Sequence, residues 1–364
     1  MIARKRLSIA GGGTGGHVMP ALALADAVRT RWGHVDVDFI GAQRGLEATL
    51  LPARGEHVQL LPMHAIQGKA FFSRLHVLGF EVPRAVISIL RAWRGNKPDL
   101  LVGVGGYASV HGVLAAFVAG VPVVLYEQNA MPGMVNRQLA RWCKTIMLGF
   151  ANAAQYLPRA PCVVTGNIVR ESIVSLVRTP HIPPRLLIMG GSQGAVFLNE
   201  TMPVLCAKLR AHGRVFQVIH ICGQQQDPAA LLAAYESAQV DATVMAFCDD
   251  MATFYRQGDL LIARAGAMTV SEVMACALPS IFVPLPSAAD QHQYHNAAPL
   301  VSAGGALLWQ QQDNDHKAWA QKLEQVLFNP LTLINMRHSM RAAMPDDACK
   351  EQLTVLSPWL EHSL

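Results

Sequence analysis

The chain has 364 residues, 51% of them hydrophobic and only 15% charged, which is enough apolar matter for the cores of two domains. It carries no uninterrupted run of 18 apolar residues and only LSIA behind the basic Arg4, Lys5 and Arg6, and its 7 cysteines form no C-x-x-C pair; the expectation is a cytosolic protein without a spanning helix, a secretory leader, a disulfide framework or a zinc ribbon. The net charge of +5 is uneven: residues 1–163 hold 17 basic against 8 acidic residues and residues 164–364 hold 13 against 17, so the first half expects an anionic partner, although no arginine-rich helix or aromatic RNA-binding pattern points to nucleic acid.

In chain order, RLSIA predicts a buried strand that runs into GGGTGGH at residues 11–17 and then into a helix. Gly11, Gly13 and Gly16 satisfy the G-x-G-x-x-G spacing of dinucleotide binders. The acids about twenty residues on, Asp36 and Asp38, open the second strand VDVDFIG, whereas a ribose-binding acid belongs at its carboxyl end. The same loop nearly forms a P-loop, but His17 and Val18 stand where lysine and a hydroxyl residue would clamp a triphosphate and its magnesium.

DLLVGVGG and VPVVLYEQN predict further parallel strands, and residues 112–126 read as helix, turn and strand because Gly120 and Pro122 interrupt them. Tyr107 and Ser109 follow one glycine turn, while Glu127, Gln128 and Asn129 follow the next strand. Amides and carboxylates at strand ends are what sugar hydroxyls need, since each hydroxyl both donates and accepts.

After Arg178 the proline-rich TPHIPPR reads as a linker, and the pattern then restarts. RLLIMGGSQGAVFLNETMPVL repeats the order of arginine, apolar strand, glycine turn and helix. FQVIHICG, ATVMAFC, LLIARAG and PSIFVPL supply the remaining strands of a second domain. Gly190, Ser192 and Gly194 match the G-x-S-x-G of a hydrolase elbow, yet they stand on the first strand of their sheet, where a phosphate-facing turn fits better than a nucleophile. AGAMTVSEV opens a helix whose first amides, at Ala267, Met268 and Thr269, suit a diphosphate, and Thr269 to Glu272 also spells a T-x-x-E capping box. His292 and His295 near Asp290 lack a third metal ligand and read as loop residues, and the pairs Asp36/Asp38 and Asp249/Asp250 are equally poor metal sites. The motifs call for no essential metal and no cofactor.

GGGTGGHVMPALALA, GVGGY, YEQNAMPG, TGNIVR, GGSQGA, AGAMTVSE and DQHQYHNA, in this order across nearly the whole chain, resemble the MurG family, the bacterial N-acetylglucosaminyltransferases that convert lipid I to lipid II in peptidoglycan synthesis. The resemblance implies an α/β fold of the GT-B type, two Rossmann-like domains facing a cleft. Residues 1–163, with 344–364 returning to them, would form the acceptor and membrane-facing domain, and residues 164–343 the UDP-N-acetylglucosamine domain.

It also implies an inverting transfer to the muramoyl 4-hydroxyl, releasing UDP. The donor would be held by Thr14, Gly15, Gly16, Asn129, Arg170, Ser192, Cys248 through its backbone, Ala267, Met268, Thr269, Val270, Ser271, Glu272 and Gln293, with Glu272 on the ribose hydroxyls. His17 is the first candidate for the general base, with Glu127 and Tyr107 in reserve. Two residues depart from the family pattern: Tyr126 where relatives often carry histidine, and His292 where a glutamine often precedes Gln293.

Residues 69–97 hold six basic residues against Glu81, interleaved with Phe71, Phe72, Leu75, Leu78, Phe80 and Trp93, a composition that suits an anionic membrane surface. The implied place of work is the cytoplasmic face of the bacterial inner membrane, with other cell-wall synthesis proteins as further partners. The rival readings are an epimerase of the same fold acting on the nucleotide sugar without an acceptor, and a catalytically silent scaffold that only binds it.

Overall fold

The computed structural model describes residues 4–62, 80–313, 315–344 and 347–361. The chain divides into two compact units, Met1–Ile168 with Pro345–Leu364, and Val169–Met344.

The first unit is built on a seven-stranded sheet of β1 (Lys5–Gly11), β2 (Val35–Ala42), β3 (Val58–Leu61), β4 (Leu100–Gly105), β5 (Val123–Glu127), β6 (Thr145–Leu148) and β7 (Cys162–Val164). Its order is β3-β2-β1-β4-β5-β6-β7 and every neighbouring pair is parallel. Parallel strands covered by helices on both faces must be apolar almost throughout, and all six residues of β4 and all five of β5 are buried. Alternate residues feed two cores: Leu7, Ile9 and Val102 enter one, while Ala10, Leu101 and Leu125 enter the other. The carboxyl-terminal helix Ala348–Leu360 belongs to this unit, because its fully buried Leu356 and Leu360 complete the first of those cores.

The second unit repeats the plan with β8 (Arg185–Met189), β9 (Gln217–Ile221), β10 (Asp241–Met245), β11 (Leu260–Ala263), β12 (Ser280–Phe282) and β13 (Ala306–Leu308). Its order is β10-β9-β8-β11-β12-β13, again parallel. The two sequence repeats therefore supply β1 and β8, the strand from which each sheet grows in both directions. In such sheets ligands gather where the direction of growth reverses, at the carboxyl ends of β1 and β4 in one unit and of β8 and β11 in the other.

The boundary between the units lies at Ile168, five residues beyond the one expected from sequence. The amides of Thr165 and Gly166 donate to the Leu148 carbonyl at 3.0 and 3.1 Å, and Asn167 donates to the Gln128 carbonyl at 3.0 Å, so TGN stays with the first sheet. Tyr126 explains why that matters. It is fully buried, its hydroxyl donates to Asn167 Oδ1 at 3.0 Å, and burial pushes its pKa well up. The residue that departs from the family pattern is thus a strut under the sheet, and a histidine at its place would point into the core rather than at a substrate.

Among the described residues no helix is long and apolar enough to cross a membrane.

Candidate active site

In the first unit two glycine loops interlock. The Gly12 amide donates to the Gly105 carbonyl at 3.3 Å, and a Cβ on Gly106 would stand 2.4 Å from the Gly12 carbonyl oxygen. His17 lies in the first turn of the helix Gly15–Arg31, and its ring packs on Gly105, where a Cβ would meet the imidazole Cδ2 and Nε2 at 2.9 Å. Gly105 also has φ +97°, a backbone that side chains resist. Gly105→Ala is therefore expected to displace the ring and strain the turn, lowering the thermal midpoint measured by calorimetry.

The first loop holds a carboxylate of its own chain. Glu47 is completely buried and accepts from the amides of Gly13 at 2.7 Å and Ala42 at 2.9 Å. What remains open for a ligand is the start of the helix at Thr14, Gly15 and Gly16, whose N-cap Thr14 makes no side-chain capping bond.

The dinucleotide reading is set aside by the same sheet. Asp36 pairs with Arg4 at 3.2 Å, and Asp38 accepts from Arg6 Nε and Ser8 Oγ at 2.6 Å each, so both acids are cross-strand braces.

At the end of β5, Glu127 is 2% exposed and saturated. One carboxylate oxygen accepts from the Asn129 amide at 2.9 Å and Asn129 Nδ2 at 3.2 Å, and the other from the Gly133 amide and Asn136 Nδ2 at 2.9 Å each. A carboxylate offers about four lone pairs, so Glu127 organises the EQN loop and has none left for a substrate proton. Ser109, read from sequence as a loop residue, is buried and ties Ala10 to Gly105. Tyr107 opens the helix Tyr107–Ala119, and its carbonyl bonds His111 Nδ1 at 2.8 Å.

In the second unit the helix Ala267–Ala275 starts at Gly266, which has extended dihedrals and no side chain to offer the first amides. The T-x-x-E sequence is therefore no capping box: Thr269 sits inside the helix, and Glu272 is bonded elsewhere. Its carboxylate accepts from the buried Tyr255 hydroxyl at 2.8 Å and lies 3.4 Å from Arg170 Nη2. Burial raises the Glu272 pKa, against the pull of Tyr255 and Arg170.

Arg264 adds a buried positive charge just before this helix. Its guanidinium donates to the carbonyls of Val283 at 3.0 Å and Pro284 at 3.2 Å and to Gln311 Oε1 at 2.9 Å, with desolvation lowering its pKa. Buried Asn296 donates to the Ala265 carbonyl at 3.1 Å and fixes the loop from below. Uncapped amides, the helix dipole and a guanidinium together favour an anion at Ala267, Met268 and Thr269, with Val270 and Ser271 behind them.

Ser192 is exposed in a turn whose left-handed residues are Gly191 and Gly194, at φ +85° and +77°. A hydrolase elbow places its nucleophile on the strained residue, which Ser192 is not. Gln293 Oε1 accepts from the Leu285 amide at 2.9 Å, leaving its NH2 group to donate. The preceding Asp290 and Gln291 both adopt φ +50°, two consecutive strained non-glycine residues of the sort that cluster at ligand clamps. His292 bonds the Ala289 carbonyl at 2.9 Å, as a loop brace. Cys248 Sγ donates to the Asp250 carbonyl at 3.4 Å, and Asp250 caps the next helix through Thr253. Among the described residues no three His, Cys, Asp or Glu side chains gather as a metal site requires.

Arg170 and Glu272 are thus brought together within one unit, as are His17 and Thr14 to Gly16 within the other. Sequence reasoning missed Glu47, Tyr255 and Arg264. Of these only Glu47 left a signal, an acid directly behind the glycines of GAQRGLE.

Residues 7–148 match the glycosyltransferase family 28 N-terminal domain and residues 185–352 its C-terminal domain. The chain is 40% identical over 324 residues to the UDP-N-acetylglucosamine–N-acetylmuramyl-(pentapeptide) pyrophosphoryl-undecaprenol N-acetylglucosamine transferase of Magnetococcus marinus, covering 87% of each chain. To the protein of that name from Aeromonas hydrophila it is 38% identical over 351 residues, 95% of this chain and 94% of the other. The crystal structure of Acinetobacter baumannii MurG superposes with a TM-score of 0.80 at 33% identity, covering 97% of this chain and 99% of that one. A putative UDP-N-acetylglucosamine 2-epimerase from Listeria monocytogenes shares the fold, with a TM-score of 0.66 at 15% identity.

Proposed function

The chain belongs to the MurG family within glycosyltransferase family 28 and transfers N-acetylglucosamine from UDP-N-acetylglucosamine to lipid I, and on that premise we propose how its residues divide the work. The observation that carries the assignment is the pairing, in one unit, of an uncapped helix start with a carboxylate set in place by Tyr255 and Arg170.

Glu272 accepts the ribose hydroxyls and the backbone at Cys248 reads the uracil. The amides of Ala267 to Thr269, with Arg264 behind them, take the diphosphate. The NH2 group of Gln293 donates to a sugar hydroxyl, and Thr14, Gly15, Gly16, Asn129, Arg170 and Ser192 complete the donor contacts. The muramoyl 4-hydroxyl passes its proton to the imidazole of His17 as its oxygen attacks the anomeric carbon. The bond from that carbon to the β-phosphate oxygen breaks with its electron pair, and UDP leaves from the helix start. Fixed dipoles aimed at a leaving group that gains charge lower the barrier without reorganising during the reaction.

The test is transfer of radiolabelled donor to a lipid I analogue, with UDP release followed in parallel and EDTA present. Epimerisation of free donor without acceptor, or UDP binding with no release, would support the rival enzyme or the silent scaffold.

The membrane is the second part of the proposal. On the helix Val82–Ala92 and its flanks, Phe80, Arg84, Ile87, Arg91 and Arg94 are exposed at spacings of three and four, one stripe of mixed apolar and basic character. Exposed Phe117 and Trp142, 6.1 Å apart, lie in the same unit, with Arg141 5.1 Å over the Trp142 ring. Trp93 departs from the sequence reading: it is 5% exposed and packs in the core. Phe71, Phe72, Leu75 and Leu78 lie outside the described residues.

Docking through this stripe places the enzyme on the anionic cytoplasmic leaflet, where its lipid-borne acceptor and the other proteins of wall synthesis reside. At about 1 kcal/mol per basic residue, replacing Arg84, Arg91 and Arg94 by glutamine is expected to weaken flotation with phosphatidylserine vesicles by about 150-fold, with little change on neutral ones. Equal loss on both kinds of vesicle would remove the electrostatic part of the proposal.

A further inference from the structure

We propose that the buried carboxyl group of Glu47, bridging the Gly13 amide of the first glycine loop and the Ala42 amide at the end of β2, positions His17 for the acceptor hydroxyl, an inference that rests on the transfer reading above. Glu47 begins the helix Glu47–Ala53 and is completely buried. Among the described residues it forms no ion pair; its partners are the amides of Gly13 and Ala42. Three glycines leave room for the carboxyl group. A Cβ would stand 2.2 Å from Glu47 Cδ at Gly12, 2.6 Å from its Cγ at Gly41 and 2.1 Å from its Oε2 at Gly45.

A leucine packed at this place would bury no polar group at all, whereas a carboxyl group must find partners for its oxygens. What the carboxylate holds is the loop. Gly13 is gripped at both ends, its amide by Glu47 and its carbonyl by the Leu46 amide at 3.4 Å. On the other side Gly12 is tied to Gly105, on which the His17 ring rests. Between those two holds the chain passes through Thr14 into the helix turn that carries His17, so the imidazole's place is set by the carboxylate below it. The Gly13 amide, taken by Glu47, is thereby closed to any outside ligand, and of this loop only the helix start at Thr14 to Gly16 is left for the donor contacts.

The test uses the full chain with Glu47→Gln, which keeps the size but turns an NH2 group toward a backbone amide, and with Glu47→Ala, which empties the place of the carboxyl group. Transfer to a lipid I analogue, UDP affinity and the thermal midpoint are measured with sodium formate against sodium chloride at equal ionic strength. Glu47→Gln is expected to lower kcat about 10- to 100-fold while UDP affinity is unchanged. In Glu47→Ala, formate is expected to raise the thermal midpoint saturably and to restore part of kcat, with no effect on the parent protein. Parent-like kcat in Glu47→Gln overturns the proposal. So does a Glu47→Ala protein indifferent to formate in both readouts, or a parallel fall of midpoint, UDP affinity and kcat in both variants, which marks general support of the fold. A parent protein that binds UDP but transfers nothing would sink the transferase reading alone, since the formate-dependent midpoint of Glu47→Ala still reports on the place of the carboxyl group.

Discussion

Replacing His17 by alanine is expected to reduce kcat by about 10²- to 10⁴-fold, the range a positioned general base contributes, with the donor KM little changed. The other candidates are weaker on geometric grounds. Glu127 accepts four hydrogen bonds and has no lone pair to spare, and proton uptake by it would break the loop that carries Asn129. Tyr107 is a phenol, a donor at neutral pH unless ionised. His17 stands at the mouth of two interlocked glycine loops, and Gly105 has given up its side chain to admit the ring. If the imidazole is the base, His17→Ala also loses the acid limb of the pH profile of kcat, which a merely structural residue would leave in place. Near-parent turnover, or an unchanged limb on a lowered kcat, would take His17 out of the proton transfer.

Much of the fold was legible because parallel strands buried on both faces must be continuously apolar, and RLSIA, DLLVGVGG, VPVVLYEQN and RLLIMGG each ended in a glycine or polar turn. The restart after TPHIPPR marked the second unit for the same reason. Short edge strands such as Cys162–Val164 and Ala306–Leu308 left too few residues to show a period.

The site was legible in part. Motif order singled out Arg170 and Glu272, which lie 3.4 Å apart with Glu272 on the Ala267 helix, but a glycine-rich loop shows only that something approaches its backbone closely, not what. Here the visitor was Glu47, from the same chain and thirty-odd residues away in sequence. In the same way T-x-x-E fits a capping box whenever the helix begins at the threonine. The helix begins three residues earlier at Gly266, a shift no local pattern encodes, and the glutamate is thereby released to Tyr255 and Arg170. Tyr126 is the converse case, a residue beside a functional motif whose side chain faces the other way along the strand, toward Asn167.

Replacing Glu272 by alanine is expected to raise the donor KM by about 10- to 150-fold, the range of 1.5 to 3 kcal/mol for a hydrogen bond to a charged group, and to change kcat much less because the ribose is remote from the reacting carbon. Calorimetry separates this from a general loss of structure: the parent should prefer UDP to 2′-deoxy-UDP, and Glu272→Ala should bind the two alike. Tyr255→Phe should fall between, since it frees the carboxylate from its 2.8 Å tether without removing it.

The pH dependence has opposite signs for binding and for stability. Burial holds the Glu272 carboxyl above the ordinary carboxylate range, so its protonated form is favoured in the folded protein. The folded state then binds more protons than the unfolded one, and this group's contribution to stability is present at low pH and lost as pH rises through the raised pKa. Donor binding needs the ionised form as acceptor and is lost as pH falls through the same raised pKa. UDP affinity should therefore weaken on acidification while this group stabilises the empty protein, and both trends should vanish in Glu272→Ala. Retention of the ribose preference in that variant would place the hydroxyl contact on another residue.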